Sequence, residues 1–269
     1  MLTPILLSAH NPGPMTGPGN NTYLLVGSDR TAVLIDAGVG HPAHLDALDA
    51  ALREREARLR YVLVTHGHGD HAGGAPAIAA RHPEAAFAKY PWPVEDARYE
   101  VPWTIVDEGD RIRVGDDDLL VLRTPGHSPD HVTFWHEASG GAFTGDLVVL
   151  GSSVMIHTSR GGSLADYLAS LNRLLGLAPR VLLPAHGPEV GDPNALLTGY
   201  IRHRQAREDQ VMAALASGHS TVETIAESIY DDLGPELMAA ARENVHAHLE
   251  KLKAEGRAVE RNGRFSRQE

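Results

Sequence analysis

The sequence predicts a mixed α/β (α+β) protein in which two β-sheets pack face to face with helices outside, followed by a small helical domain. Two observations support this prediction. In the first two-thirds of the chain, strands, a helix, more strands, another helix and a strand follow one another, which fits a two-sheet arrangement better than one doubly wound sheet. Near residue 203 the chain becomes mostly helical. We therefore predict one domain at residues 1–203 and a second at residues 204–269.

The elements of the first domain follow from local patterns. Residues 10–20 are rich in proline, glycine and asparagine and predict a loop. Two apolar runs at residues 21–27 and 31–36 then predict a hairpin. Leucines at three- and four-residue spacing predict a helix at residues 42–58. The further predicted strands are 61–65, 85–89, 111–115, 118–123, 131–136, 141–145 and 180–184, and the further predicted helices are 72–81 and 163–176.

The C-terminal domain is predicted to contain three helices and a hairpin. The predicted helices are residues 203–217, 221–231 and 235–255. Gly218 and Gly234 separate them, and Pro235 stands where a helix can begin. Asn262-Gly263 is typical of the turn of a hairpin, which we predict at residues 256–265. Three helices closed by a small hairpin form a winged-helix-like unit.

Composition excludes several classes of protein. The chain of 269 residues has no cysteine, which excludes disulfides, thiolate catalysis and cysteine-bound zinc. The formal net charge of −11 gives no indication of a polyanionic partner. No apolar run is long enough to span a bilayer, and the first residues lack the basic segment of a signal peptide. We therefore expect a cytoplasmic protein that does not associate with membranes.

The most informative segment is Thr65–His71, which directly follows an apolar run. Within six residues it contains four potential metal ligands: His66, His68, Asp70 and His71. A strand that ends in a glycine-broken loop lets such side chains converge without a helix. Imidazole and carboxylate groups together suit zinc, iron, nickel or manganese. The segment therefore predicts a metal site, and the alternative is a solvated histidine-rich turn.

Three later segments repeat this arrangement of a β-prone run that ends in a turn. They contain His127 with His131, Asp146, and His186. Strand ends on one edge of a sandwich can bring such turns together. Two adjacent metal clusters would make a binuclear hydrolytic site.

The ordered set of motifs resembles that of the metallo-β-lactamase superfamily over roughly residues 3–190. This resemblance implies a four-layer αββα sandwich with two divalent metal ions at one edge, zinc first, with iron and manganese as alternatives. The implied ligands are His66, His68 and His127 for one metal, Asp70, His71 and His186 for the other, and Asp146 as the bridge. A water between two metals loses a proton near neutral pH and becomes the nucleophile. Asp70 is the candidate catalytic residue that would orient it or handle the leaving-group proton.

Four further residues are candidates for supporting roles. Asp36 ends a strand, and we expect it to hydrogen-bond to the site, with a turn-forming aspartate as the alternative. His131 either supports the site or is a structural histidine. His157 and Arg160 lie on residues 151–160, shortly after Asp146. That segment either walls the pocket, with Arg160 as an anion contact, or is an ordinary surface loop.

The segment Asn11–Pro14 and the closing helices and hairpin resemble the lactamase-beta-like protein 2 group. This resemblance implies a hydrolase with two candidate substrates. One is single-stranded RNA, because an animal mitochondrial member is a single-strand endoribonuclease. The other is a thioester, because related fungal members resemble thioesterases, and a glyoxalase-II-type enzyme is a variant of this second candidate. A true β-lactamase is not expected, because Asp146 stands where those enzymes have cysteine or serine and the chain shows no export signal.

A third hypothesis is a winged-helix DNA-binding protein with a vestigial hydrolase domain. From Arg207 to Glu269 the chain has 8 basic and 12 acidic residues, whereas a duplex-binding winged helix presents a basic face. Duplex DNA is therefore not expected as a partner. We expect a small molecule or single-stranded RNA as the substrate, and a homodimer formed through the tail or the sandwich is a further prediction.

Overall fold

A computed structural model describes residues 2–14 and 16–268, and two sheets packed face to face make up its larger part. The strands of the first sheet lie in chain order: β1 (Ile5–Ser8), β2 (Asn21–Val26), β3 (Thr31–Ile35), β4 (Arg58–Leu63), β5 (Ala86–Lys89) and β6 (Trp103–Ile105). The second sheet has the order β11-β10-β9-β8-β7. Its strands are β7 (Arg111–Val114), β8 (Asp117–Arg123), β9 (Val132–His136), β10 (Gly141–Gly145) and β11 (Val181–Pro184).

Helices cover the outer faces of both sheets. α1 (Pro42–Glu54), α2 (Gly69–Ala72) and α3 (Ala75–Arg81) pack on the first sheet, and α5 (Leu164–Gly176) packs on the second. The one-turn helix α4 (Pro93–Asp96), between β5 and β6, has no buried residue. The inner strands, such as β3, β9 and β10, are buried on both faces. In β3, for example, Val33 and Ile35 belong to the core between the sheets, while Ala32 and Leu34 belong to the core under α1 and α3. These layers confirm the predicted αββα sandwich.

The C-terminal part has a core of its own and also packs on the sandwich. Its elements are α6 (Pro193–Ala216), α7 (Val222–Ile229), α8 (Pro235–Ala254), β12 (Ala258–Arg261) and β13 (Arg264–Arg267). Val211, Ile225, Leu249 and Phe265 meet in this second core. The first half of α6 packs against α5 instead, so the same helix belongs to both parts of the molecule.

The predicted start of a helix at residue 203 is wrong, because α6 begins ten residues earlier. Asp192 caps the helix by accepting a hydrogen bond from the Ala195 N–H at 3.0 Å, and Pro193 occupies its first position. The predicted division into residues 1–203 and 204–269 stays a prediction, and its boundary falls inside this helix.

Three other predictions differ from the structure. The predicted helix at residues 72–81 is two helices, α2 and α3. A β-carbon at Gly74, between them, would lie 2.1 Å from the Ala37 carbonyl oxygen, so only glycine fits that position. The helix predicted at residues 42–58 ends at Glu54, where the next strand is only three residues away. The short edge strands β1 and β6 were not predicted. None of the helices in the described part of the chain has the length and apolar character that crossing a membrane requires.

Candidate metal centre

The predicted ligands lie in four loops at one edge of the sandwich, and the first of these loops includes the one-turn helix α2, which holds Asp70 and His71. Each loop directly follows a strand that ends at this edge: β4 before His66, β8 before His127, β10 before Asp146 and β11 before His186. Because the strands deliver these loops to the same edge, residues far apart in the sequence come within contact distance.

Three imidazoles form the first group of the centre. His68 Nδ1 lies 2.9 Å from His66 Nε2 and 3.0 Å from His127 Nε2. Zinc–nitrogen bonds of about 2.0 Å in a tetrahedral site separate the ligand nitrogens by about 3.3 Å. The three nitrogens are therefore close enough to bind one cation together.

A second group contains two imidazoles and a carboxylate. Asp70 Oδ2 lies 3.6 Å from His71 Nε2 and 3.5 Å from His186 Nε2. The atoms of these three residues also lie within reach of a common cation. The structure thus brings together the two sets that the sequence predicted, while the binding of metal by them stays a prediction.

Asp146 lies between the two groups. Its Oδ1 is 3.1 Å from His186 Nε2 and 3.4 Å from His71 Nε2, whereas its Oδ2 is 3.5 Å from His127 Nε2. Oδ1 is buried and makes no hydrogen bond of good geometry within residues 2–14 and 16–268. A buried carboxylate oxygen without such a partner, facing imidazole nitrogens on both sides, fits a position bound to cations.

The electrostatic environments of the two groups differ. Burial, together with the neighbouring imidazoles, lowers the pKa of His68 to about 4. The ring is therefore neutral at neutral pH, and one of its two nitrogens carries no proton. Burial also opposes a charge on His186, but the nearby carboxylates of Asp146 and Asp70, at 3.1 Å and 3.5 Å, raise the pKa of His186 to about 9. The carboxylates of Asp70 and Asp146 beside His186 therefore attract positive charge, which favours a dication there.

Asp36 fixes the orientation of His71. The His71 Nδ1–H donates to Asp36 Oδ2 at 2.8 Å, and the Thr65 N–H donates to Asp36 Oδ1 at 2.8 Å. Asp36 has a positive φ of 62°, which turns the chain at the end of β3 toward the site. This contact leaves His71 Nε2 facing the carboxylates, so Asp36 occupies the supporting position that the sequence predicted.

His131 holds the backbone of the predicted bridge. Its Nε2 accepts a hydrogen bond from the Asp146 N–H at 3.1 Å, and its Nδ1 lies 2.9 Å from Thr124 Oγ1. Burial, with a smaller contribution from His127, lowers the pKa of His131 to about 3, so that the ring stays neutral. Both ring nitrogens have protein partners, and His131 therefore supports the site from outside.

His157 and Arg160 lie farther out. His157 is half-buried, and its Nδ1 is 3.7 Å from Glu243 Oε2 on α8. Arg160 is exposed at the end of a short 3₁₀ turn, Thr158–Arg160. Contacts of these two residues with a substrate stay predictions.

Sequence reasoning missed three residues that organise the metal loops. Asn20 Nδ2 donates to Asp70 Oδ2 at 3.1 Å. Asp130 Oδ2 accepts a hydrogen bond from the Gly67 N–H at 2.7 Å and lies 3.0 Å from Lys89 Nζ. Lys89 is only 1% exposed at the end of the apolar strand β5. A lysine in an otherwise apolar run was the one sequence feature that could have indicated a buried ion pair.

A two-sheet sandwich with histidines and aspartates at its strand ends defines a class of metal-binding proteins, most of which are hydrolases. The chain belongs to the metallo-beta-lactamase superfamily, whose family model matches residues 15–186. A second model, the beta-lactamase associated winged helix domain, matches residues 221–266 and confirms the predicted winged-helix-like tail.

The chain is similar to several curated proteins. The Beta-lactamase-like protein 2 homolog of Caenorhabditis elegans is 30% identical over 254 residues, which cover 92% of this chain and 83% of that protein. The Lactamase-like protein aptB of Emericella nidulans is 36% identical over 205 residues, which cover 76% of this chain. The alignment spans only 63% of the length of aptB.

Solved structures share the fold. TTHA1429 from Thermus thermophilus, a metallo-beta-lactamase family protein, superposes with a TM-score of 0.79 at 23% identity, and the match covers 99% of this chain and 98% of that one. TTHA1623 has been solved in a di-iron-bound form. It superposes with a TM-score of 0.57 at 29% identity over 74% of this chain and 98% of that one.

Proposed function

We propose that the protein is a binuclear metal-dependent hydrolase. The observation that carries this proposal is the position of Asp146, whose two oxygens face the two groups of candidate ligands. The first group, His66, His68 and His127, and the second, Asp70, His71 and His186, would each hold one divalent ion. Zinc, iron and manganese all accept this combination of nitrogen and oxygen ligands.

Two bound divalent ions would ionise a water molecule and polarise the bond that it attacks. Asp70 would contribute through its carboxylate. Burial alone would raise the pKa of Asp70, but in the metal-free protein the positive charge of a protonated His71 and hydrogen bonds from His186 and Asn20 hold it well below its ordinary range. The carboxylate is therefore ionised at neutral pH and can accept a hydrogen bond from the nucleophile or take a proton in transit.

Single-stranded RNA is the first candidate substrate. The similarity to the Beta-lactamase-like protein 2 homolog extends over 92% of this chain, including the winged-helix part. The resemblance to this protein 2 group is what implied single-stranded RNA as a substrate. The exposed guanidinium of Arg160, on the segment after Asp146, could contact a phosphate group.

A thioester is the second candidate, and apolar side chains beside the centre favour it. The Trp92 ring lies 6.1 Å from the His68 ring, and Val94, two residues further on, is 77% exposed. Leu150, which follows the Asp146 loop, is 47% exposed. An aromatic ring at the centre, with exposed apolar side chains on neighbouring segments, suits an acyl chain better than a polyanion.

The substrate candidates are separated by direct assay. Zinc-loaded protein is incubated with end-labelled single-stranded RNA, with a panel of acyl-CoA thioesters and with a cephalosporin reporter. We expect turnover of RNA or of a thioester that stops with chelator and falls at least about 1,000-fold in Asp146→Asn and in Asp70→Ala. Both variants are expected to fold, because Asp146 lies in a loop and Asp70 lies in the one-turn helix α2, and neither side chain belongs to an apolar core.

Asp209→Asn is the matched control, because Asp209 is exposed on α6 and belongs to neither group. It should keep the wild-type rate. Equal rates for Asp146→Asn and wild type, or turnover that persists in chelator, would contradict the proposal. Elemental analysis should find about two metal equivalents per chain.

A further inference from the structure

The chain between Asp146 and the 3₁₀ turn connects the metal centre with the C-terminal helices. We call residues 149–158 the Met155 loop. The Met155 carbonyl oxygen accepts a hydrogen bond from His127 Nδ1–H at 2.8 Å. A carbonyl can only accept, so this contact fixes the tautomer of His127 and leaves its Nε2 free to face His68 and Asp146.

Helix α6 contacts the first half of the Met155 loop. The Tyr200 hydroxyl accepts a hydrogen bond from the Val149 N–H at 3.1 Å and lies 2.8 Å from the Ser152 carbonyl oxygen. The buried Arg204 guanidinium donates to the Val154 carbonyl oxygen, next to Met155. Two side chains of one helix therefore fix the backbone on the approach to the carbonyl that orients His127.

Helix α8 contacts the second half. Thr158 Oγ1 lies 2.8 Å from His246 Nδ1, and Asn244 Oδ1 accepts a hydrogen bond from Arg204 at 3.0 Å. Ile156 is buried in the same apolar cluster as Ala247 of α8. The Met155 loop is thus held on both sides of Met155, by the half of α6 that packs against α5 and by α8 of the C-terminal part.

The second group of candidate ligands is supported by different elements. Asp36 at the end of β3 holds His71, and Asn20 before β2 holds Asp70. Among the contacts of the described residues, none joins Asp70 or His71 to α6 or α8. A loosened Met155 loop would therefore affect His127 and spare Asp70 and His71, while the loop of His186, next to Gly187, passes close to Val149.

We propose that α6 and α8 position His127 through the Met155 loop, with Tyr200, Arg204 and His246 as positioning residues. The C-terminal part then completes the His66, His68 and His127 group, which gives it a role in metal binding. This inference rests on the proposed function, because it takes His127 as a metal ligand.

The test uses two conservative changes that each remove one hydroxyl. Tyr200→Phe and Thr158→Val are combined in the full chain, and zinc binding is measured by competition with a chromophoric chelator. Loss of partners that orient a ligand typically weakens metal binding by 10–100-fold. We expect one of the two zinc equivalents to bind at least about 10-fold more weakly in the double variant, while the affinity for the other stays unchanged.

A second measurement does not depend on metal or activity. Amide hydrogen exchange of residues 149–158 in the metal-free protein should be faster in the double variant, while exchange of residues 65–71 stays as in wild type. Thr224→Val is the matched control, since that exposed hydroxyl hydrogen-bonds only with Thr221 at the start of α7 among the described contacts and makes none with the loop. It should retain both zinc affinities.

The outcomes are distinguishable. Suppose that the wild-type protein binds two zinc equivalents. If the double variant then keeps both affinities, or loses both equally, the positioning role alone is overturned. A wild-type protein that binds no zinc would overturn the proposed function, and this inference with it.

Discussion

At the scale of single residues, the contact made by one ring nitrogen of an imidazole decides what the other can do. His71 is oriented by the Asp36 carboxylate, whereas His127 is oriented by the Met155 carbonyl. Both contacts leave the Nε2 atom facing the centre. A carboxylate partner also makes the imidazole a stronger ligand, so Asp36 should matter for affinity as well as for geometry.

Asp36→Asn is expected to weaken the binding of one of the two zinc equivalents by about 10-fold to 100-fold. The change keeps the size of the side chain but removes the charge that faces His71. Chelator competition measures the effect, and Asp29→Asn in an exposed turn serves as the control. The double variant Tyr200→Phe with Thr158→Val should weaken the binding of the other zinc equivalent. If both changes weaken the same equivalent, Asp36 and the Met155 loop do not support separate groups of ligands.

The seven candidate ligands could be predicted because their residue types follow strand ends in recognisable motifs. Their supporting partners could not, because each is a single residue joined to the site by a long-range contact. Asn20 contacts Asp70 from a loop that was predicted only from its proline, glycine and asparagine content, and Asp130 contacts Gly67 across 63 residues. No local sequence pattern predicts such a contact.

At the scale of elements, the loops that bear the ligands are tied together across the two sheets. Lys89 ends β5 in the first sheet, and Asp130 lies between β8 and β9 in the second. Their buried ion pair at 3.0 Å holds Asp130 where it accepts the Gly67 N–H. Long strands such as β8 were predicted from apolar runs, whereas β1 and β6, with the exposed Leu6 and Ile105, lack the pattern that burial imposes.

Removal of one partner from this ion pair should destabilise the protein strongly. Asp130→Asn leaves the buried Lys89 ammonium with less compensation and is expected to lower the free energy of unfolding by about 3 kcal/mol. Asp46→Asn, which breaks an exposed pair with Arg81, should cost less than about 1 kcal/mol. Urea unfolding of the metal-free protein measures both, and equal effects would show that Lys89 and Asp130 contribute no more than a surface pair.

At the scale of the whole molecule, the C-terminal part is joined to the sandwich through α6 and α8. The sequence predicted its winged-helix character but not this attachment, because the start of α6 was missed and with it the contact to α5. His248 lies on α8 near Arg204 and is buried, and neither of its ring nitrogens has a hydrogen-bond partner within residues 2–14 and 16–268. A proton on this ring would therefore be poorly accommodated in the folded protein.

Mild acid should accordingly destabilise the folded protein through His248. Burial, with the nearby charges of Arg204 and Lys251, lowers the pKa of His248 to about 3. As the pH falls below about 6.5, the unfolded chain gains a proton at this position while the folded chain does not, so the free energy of unfolding falls until the pH reaches about 3. From pH 7 to pH 5 this histidine alone should lower the free energy of unfolding by about 2 kcal/mol.

Urea unfolding in the presence of chelator should therefore show a shallower loss of stability with falling pH for His248→Leu than for wild type. His219→Leu, in the loop after α6, is the control and should follow the wild-type pH dependence; parallel curves for His248→Leu and wild type would mean that His248 does not couple folding to pH.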